Sequence, residues 1–111
     1  MAGQFEIKRS SNGEFFFNLT APNGAILLVS NRYSGRSEVD SGINSVKANA
    51  PIDTRYQRKE SSAGEFYFLL KAVNGLVLGR GEMYPSTAAM ENAIRSTKTI
   101  APTARIVDNS S

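Results

Sequence analysis

The chain contains no cysteine, no histidine and no tryptophan among its 111 residues. The first two absences remove disulfides, thiolate and imidazole metal sites, cysteine nucleophiles and every histidine-dependent triad. Long apolar runs are missing as well. The longest unbroken aliphatic stretch is Ala25–Val29, far below the roughly 18 residues that a membrane-spanning helix needs. The opening Met1–Arg9 stretch is charged by its sixth residue and has no apolar core of the secretory kind, so a cytoplasmic protein without membrane contact is expected. The sequons at Asn18 and Asn109 then read as chance matches. There is also no block of like charge. Thirteen Lys and Arg stand against ten Asp and Glu, a net +3 with a pI near 9.5, and the excess is spread over both sides of Pro51. Nucleic-acid binders concentrate their bases on one face, and a diffuse excess leaves that partner open.

What is present is ordinary globular composition, 41% hydrophobic and 21% charged, in a chain able to bury about two-thirds of its unfolded surface. The informative feature is a repeat. At an offset of 51 the two halves align without a gap. Ser10–Gly24 lies over Ser61–Gly75, Leu27 over Leu78, Tyr33 over Tyr84, and Ala50-Pro51 over Ala101-Pro102. Ile43, Ser45 and Lys47 lie over Ile94, Ser96 and Lys98. The chain is a tandem duplication.

Each copy reads as three strands and a helix. Residues 4–9 alternate, with Phe5 and Ile7 on one side and Glu6 and Lys8 on the other. Asn12-Gly13 suits a type I′ hairpin turn. Strands are expected over 14–21 and 25–30, and in the second copy over about 54–60, 65–72 and 76–80. Phe15, Phe17, Leu19 and Ala21 recur as Phe66, Phe68, Leu70 and Ala72 on one side of the second strand, which marks the buried face. Val39, Ile43, Val46 and Ala50 form an apolar helical stripe, as do Met90, Ile94 and Ala101. Ser34 or Ser37, and Ser86, are the expected N-caps, and Pro51 and Pro102 the stops. The tail repeats the start of the unit once more, so Phe5, Tyr56 and Val107 are successive copies of one position and the tail is expected to be a strand. A unit of roughly 50 residues is too small to stand alone. Two units exchanging their last strands would form one antiparallel sheet with both helices on one face, an internal pseudo-dimer.

The Gly-Glu-Phe-x-Phe-x-Leu run at Gly13–Leu19 and Gly64–Leu70 resembles the YegP-like family of small tandem-repeat proteins. So do the Ala-x-Asn-Gly turns at 21–24 and 72–75, the Tyr before each helix, the Ile-x-Ser-x-Lys helix ends and the Ala-Pro that follows them. The resemblance runs from Phe5 to Val107. It implies an α+β fold of two β(3)-α-β repeats sharing one sheet with swapped terminal strands, and a protein of unknown function with no catalytic residues to carry over. Two departures stand out: Arg58 replaces Ile7, and Gly79-Arg80-Gly81 replaces Leu28-Val29-Ser30.

The sequence is therefore expected to form a single domain, residues 1–111, of two repeats at about 4–53 and 54–108. Gly79-Arg80-Gly81 lacks the third glycine of a dinucleotide fingerprint and reads as a bulge or a close approach. Glu14 and Glu65 read as solvated strand-end residues, Tyr33 and Tyr84 as packing anchors, and Lys47 and Lys98 as cations complementing helix C-termini. No catalytic residue, metal ligand or cofactor is assigned, and the protein is expected to be a non-enzymatic, monomeric binding or protein-interaction module. The candidate binding face is the side of the sheet opposite the helices, with Phe16, Tyr67, Lys71, Gln57 and Lys59. Aromatics interleaved with bases would suit weak, sequence-tolerant nucleic-acid binding, the alternative to a protein partner over the same rings. A pocket on which Tyr33, Glu14 or their partners converge would instead favour an enzyme built on Tyr, Glu and Lys.

Overall fold

The computed structural model describes residues 3–110; Met1, Ala2 and Ser111, the ends of the expected domain, lie outside the described residues. The first repeat forms β1 (Gln4–Arg9), β2 (Phe15–Thr20), β3 (Ile26–Ser30) and α1 (Arg36–Asn49). A 3-10 turn, Asp53–Arg55, leads into β4 (Tyr56–Glu60), β5 (Phe66–Lys71), β6 (Val77–Arg80) and α2 (Thr87–Ile100). A second 3-10 turn, Ala101–Thr103, precedes β7 (Arg105–Asp108). All seven strands form one sheet in the order β4-β5-β6-β3-β2-β1-β7. Each helix thus carries the chain to the far half of the sheet: β4 joins β5, and β7 returns to β1. That is the exchange of terminal strands expected from the repeat.

Strand direction differs from expectation in one place. Six strands pair antiparallel, but β7 runs parallel to β1, with Phe5 beside Ile106 and Ile7 beside Asp108. The sheet is therefore mixed. A strand entering from a helix is free of the reversal that a hairpin imposes, and β7 uses that freedom. The register also moves the third copy out of the core: Val107 lies beside Glu6 and is only half-buried, whereas Phe5 and Tyr56 are buried.

The hairpins form where expected, with different turn chemistry. The Gly13 N–H donates to the Ser10 carbonyl at 3.0 Å, and Gly13 alone takes a left-handed φ of 86° while Asn12 does not. This is a four-residue turn whose last residue is a left-handed glycine, and it recurs at Gly24, Gly64 and Gly75. Ser86 caps α2 by accepting from the Ala89 N–H. The cap position of α1 is instead Gly35, because Ser34 lies one residue too early and bonds Glu38, and Ser37 is already helical.

Paired residues share a face of the sheet. On the helix side Phe5, Ile7, Phe17, Leu19, Leu28, Phe68 and Leu70 pack against Val39, Ile43, Val46, Met90 and Ile94 in one buried cluster. Gly79 and Gly81 are close-approach glycines. A Cβ on Gly79 would fall 2.8 Å from Leu28 Cγ, and one on Gly81 2.3 Å from Phe68 Cε2.

Candidate functional site

The opposite face of the sheet carries no helix, and the register defines it residue by residue. One row crosses all seven strands: Gln57, Leu69, Arg80, Val29, Asn18, Glu6 and Val107. Beside it lie Lys59 paired with Tyr67, Lys71 paired with Val77, and Lys8 paired with Phe16. All five sequence-predicted residues are on this face. Gln57 and Lys59 are exposed; Phe16, Tyr67 and Lys71 are half-buried.

The fold gathers four of the five and separates the other. Gln57, Lys59, Tyr67 and Lys71 share the adjacent strands β4 and β5. Phe16 lies on β2, three strands from β5 and at the opposite end of the row, about 20 Å from Tyr67 by strand spacing and rise. The two rings cannot stack successive bases of one strand. Their surroundings differ too. The Arg32 guanidinium stands 4.8 Å over the centre of the Phe16 ring and covers one of its faces.

The face also holds residues that the sequence reading did not single out. Arg80 is exposed in the middle of the row, beside Leu69 and Val29. Asn18 is 7% exposed, and its Oδ1 is buried without a hydrogen-bond partner. Lys8 lies 3.7 Å from Glu6. The five strand-borne bases Lys8, Lys59, Lys71, Arg80 and Arg105, the last paired with Gln4, thus face one strand-borne carboxylate, Glu6, which already has Lys8 beside it. On the helix side several charges are paired: Arg36 with Asp40 and Asp108, Arg58 with Glu91 and Asp53, and Lys98 with Asp53. The Lys98 and Arg58 contacts hold the Asp53 carboxyl below its ordinary range. The carboxylates Glu91 and Asp53 in turn raise Arg58.

The repeated tyrosines are packing groups. Tyr33 exchanges backbone hydrogen bonds with Phe15 and stacks on Phe17 at 6.4 Å; Tyr84 makes the same backbone bonds to Phe66. Burial raises the phenols of Tyr33 and Tyr84. Burial also raises Tyr56, whose hydroxyl donates to the Ala50 carbonyl at 2.7 Å. The cleft beside Tyr33, about 330 Å³, is lined by Ser37, Glu38, Ser41, Ser45 and Leu76; Glu14 is not part of it. This cleft therefore does not join Tyr33 to Glu14. Among the described residues no group of three carboxylates is placed to hold a metal ion, and no helix is long and apolar enough to cross a membrane.

Known proteins share this architecture. The family model for the domain of unknown function DUF1508 matches residues 10–57 and again 61–108. The chain is 45% identical to the UPF0339 protein in the ptx operon 5′ region of Stutzerimonas stutzeri, over 97% of each chain. It is 39% identical to the UPF0339 protein YegP of Escherichia coli K12, over 98% of this chain and 99% of the other. The solution NMR structure of Escherichia coli YegP, a protein of unknown function, superposes with a TM-score of 0.94, covering 99% of this chain and 95% of that one. That of a UPF0339 protein of Shewanella oneidensis superposes with a TM-score of 0.93 at 41% identity, covering 99% and 93%. With the family model matched in both halves, close relatives end to end and the same seven-stranded fold, the chain belongs to the YegP-like UPF0339 family, whose tandem repeats carry no assigned activity.

Proposed function

We propose that this protein is a non-catalytic binding module, and that its helix-free sheet face receives single-stranded nucleic acid. The observation that carries the reading is the uneven charge of that face. Five strand-borne bases stand against one carboxylate there, while on the helix side Asp40, Asp53, Glu91 and Asp108 are held in ion pairs. Lys59, Lys71 and Arg80 flank the Tyr67 ring on β4, β5 and β6 and form the centre of the site. Phosphates are neutralised by the three bases, and one base stacks on Tyr67. Phe16, held under Arg32, contacts a more distant part of the same strand. No cofactor or metal takes part, and both repeats act within one monomeric domain.

The reading is tested by fluorescence anisotropy with mixed-sequence single- and double-stranded oligonucleotides at about 50 and about 200 mM salt. Saturable binding is expected, single strands preferred. Neutralising three phosphates weakens single-strand affinity roughly 20-fold between those salt concentrations. Tyr67→Ala costs about 1–3 kcal/mol of binding, and Lys59→Ala lowers the salt slope by roughly 0.7. Flat traces at the lower salt concentration would remove nucleic acid and return the face to protein contact.

A further inference from the structure

The sheet has two edges, and the repeat makes them unequal. The offset of 51 matches β1 with β4, β2 with β5 and β3 with β6, so the order β4-β5-β6-β3-β2-β1 is symmetric about its centre. Only β7 breaks the symmetry. It lies outside β1, and the corresponding place outside β4 holds no strand among the described residues. A cleft of about 300 Å³ opens between this end of the sheet and α2, lined by Arg58, Phe66, Met90 and Glu91 among others.

The occupied edge specifies what the vacant one accepts. Next to β1, the Asn109 N–H donates to the Ile7 carbonyl at 2.8 Å, and the Asn109 amide donates to Glu6 at 2.6 Å. Asp108, beside Ile7, reaches Arg36 at 2.5 Å, and Arg36 also holds Asp40 of its own helix at 3.5 Å. One guanidinium is therefore shared between a helix carboxylate and a carboxylate from the added strand. The β4 edge rebuilds a similar arrangement from other positions, because the copy of Arg36 is Thr87 and the guanidinium comes from the strand instead. Arg58, the copy of Ile7, holds Glu91, the copy of Asp40, at 2.5 Å, and its second carboxylate is Asp53 at 2.9 Å. Asp53 comes from the exposed turn before β4 and stands in for the strand carboxylate that is missing.

We propose that β4 is a strand-addition site for an extended segment of a partner protein that carries a carboxylate at the position Asp108 holds beside β1. The segment runs parallel to β4 as β7 runs along β1, and its carboxylate lies beside Arg58 and replaces Asp53 there. Main-chain hydrogen bonds to an open edge give such additions their affinity, and side-chain positions give selectivity. A second copy of this chain is the poorer occupant. Antiparallel pairing of two β4 strands centred on Arg58 or on Lys59 would set that residue against its own counterpart, and like charges directly opposite destabilise a ladder.

The test is an NMR titration of the isotope-labelled full chain with a synthetic peptide copying residues 103–110, the segment that fits the twin position. Saturable amide shifts are expected at Gln57, Arg58, Lys59 and Glu91, with β1 amides unchanged. Carrying Lys in place of Asp108 in the peptide weakens binding about fivefold, and Asp53→Asn in the chain strengthens it about twofold, because the competing carboxylate is gone. Shifts confined to Gln4–Arg9 would show exchange for β7 at the first edge, and would overturn the proposal. So would an absence of shifts at about 2 mM peptide, or sedimentation showing two copies joined through β4.

Discussion

Arg58 stands where the repeat offset puts Ile7, and the two positions differ in one physical respect. Ile7 lies between β2 and β7 and is wholly buried, whereas position 58 borders open solvent at the sheet edge. A guanidinium whose stem covers the edge while its head pairs with Glu91 and Asp53 suits the second place and not the first. Ile7→Ala is accordingly expected to cost about 2–5 kcal/mol in urea denaturation, and Arg58→Ala less than about 1 kcal/mol. Glycine contacts give a second contrast. Gly81→Ala drives a methyl into Phe68, a core ring with no room to move, and is expected to cost about 1–3 kcal/mol. At Asp53 the consequence is pH dependence. Its carboxyl is held low, chiefly by the Lys98 hydrogen bond and then by Arg58. A depressed carboxylate contributes stability above its unfolded value near 3.8, and that contribution is lost as pH falls through the lower folded value. The fall in Tm on acidification below about pH 4 is expected to be smaller in Asp53→Asn, and added salt narrows the difference because the group is exposed.

The two helices have equal length but unequal starts. Ser86 accepts from the Ala89 N–H, while Gly35 offers α1 no side chain at all. Ser86→Ala is expected to cost about 1 kcal/mol, and Gly35→Ser to gain a few tenths, since its extended backbone (φ −138°, ψ 160°) suits serine and the nearest obstacle is the mobile end of Glu38. Thermal melts of the two variants against the parent chain check both signs. That inequality also marks how far local pattern reaches. Strand two was legible from Phe15, Phe17 and Leu19 because a period of two and a second copy agree. The tail strand was legible because Ala104–Asp108 repeats a strand start. The α1 cap was not, since Ser34, Gly35 and Ser37 all lie within a turn of the start and only backbone geometry chooses among them. The direction of β7 was equally silent, because residues 105–108 record nothing about their neighbour. The same limit governs the candidate face. Alternation puts Phe16, Tyr67, Lys71, Gln57 and Lys59 on one side, but strand order decides that Arg80 joins the last four and that Phe16 does not.

At the scale of the whole molecule, duplication has produced two halves that no longer substitute for each other. The central seam pairs β3 with β6 at only two positions, Val29 with Arg80 and Ser30 with Gly79, supported by the Asn31 amide donating to the Val77 carbonyl at 2.7 Å. Packing across the seam does more, because α1 reaches β5 and β6 while α2 reaches β3. The seam is also shaped asymmetrically. Leu28 and Gly79 are copies of one position, and the leucine occupies the space that the missing Cβ leaves. Two first halves would set leucine against leucine, an overpacked contact costing about 1–3 kcal/mol. Two second halves would set glycine against glycine and leave a cavity costing about 2–5 kcal/mol. Only the unlike pair fills the seam. Fragments 1–52 and 53–111 are therefore expected to lack a cooperative melt when separate, each near the lower size limit for an independent core, and to regain native circular dichroism as a one-to-one complex when mixed. Gly79→Leu in the second fragment abolishes that recovery. If either fragment melted cooperatively alone, or if Gly79→Leu assembled as well as the parent, the seam would not be what holds the two repeats together.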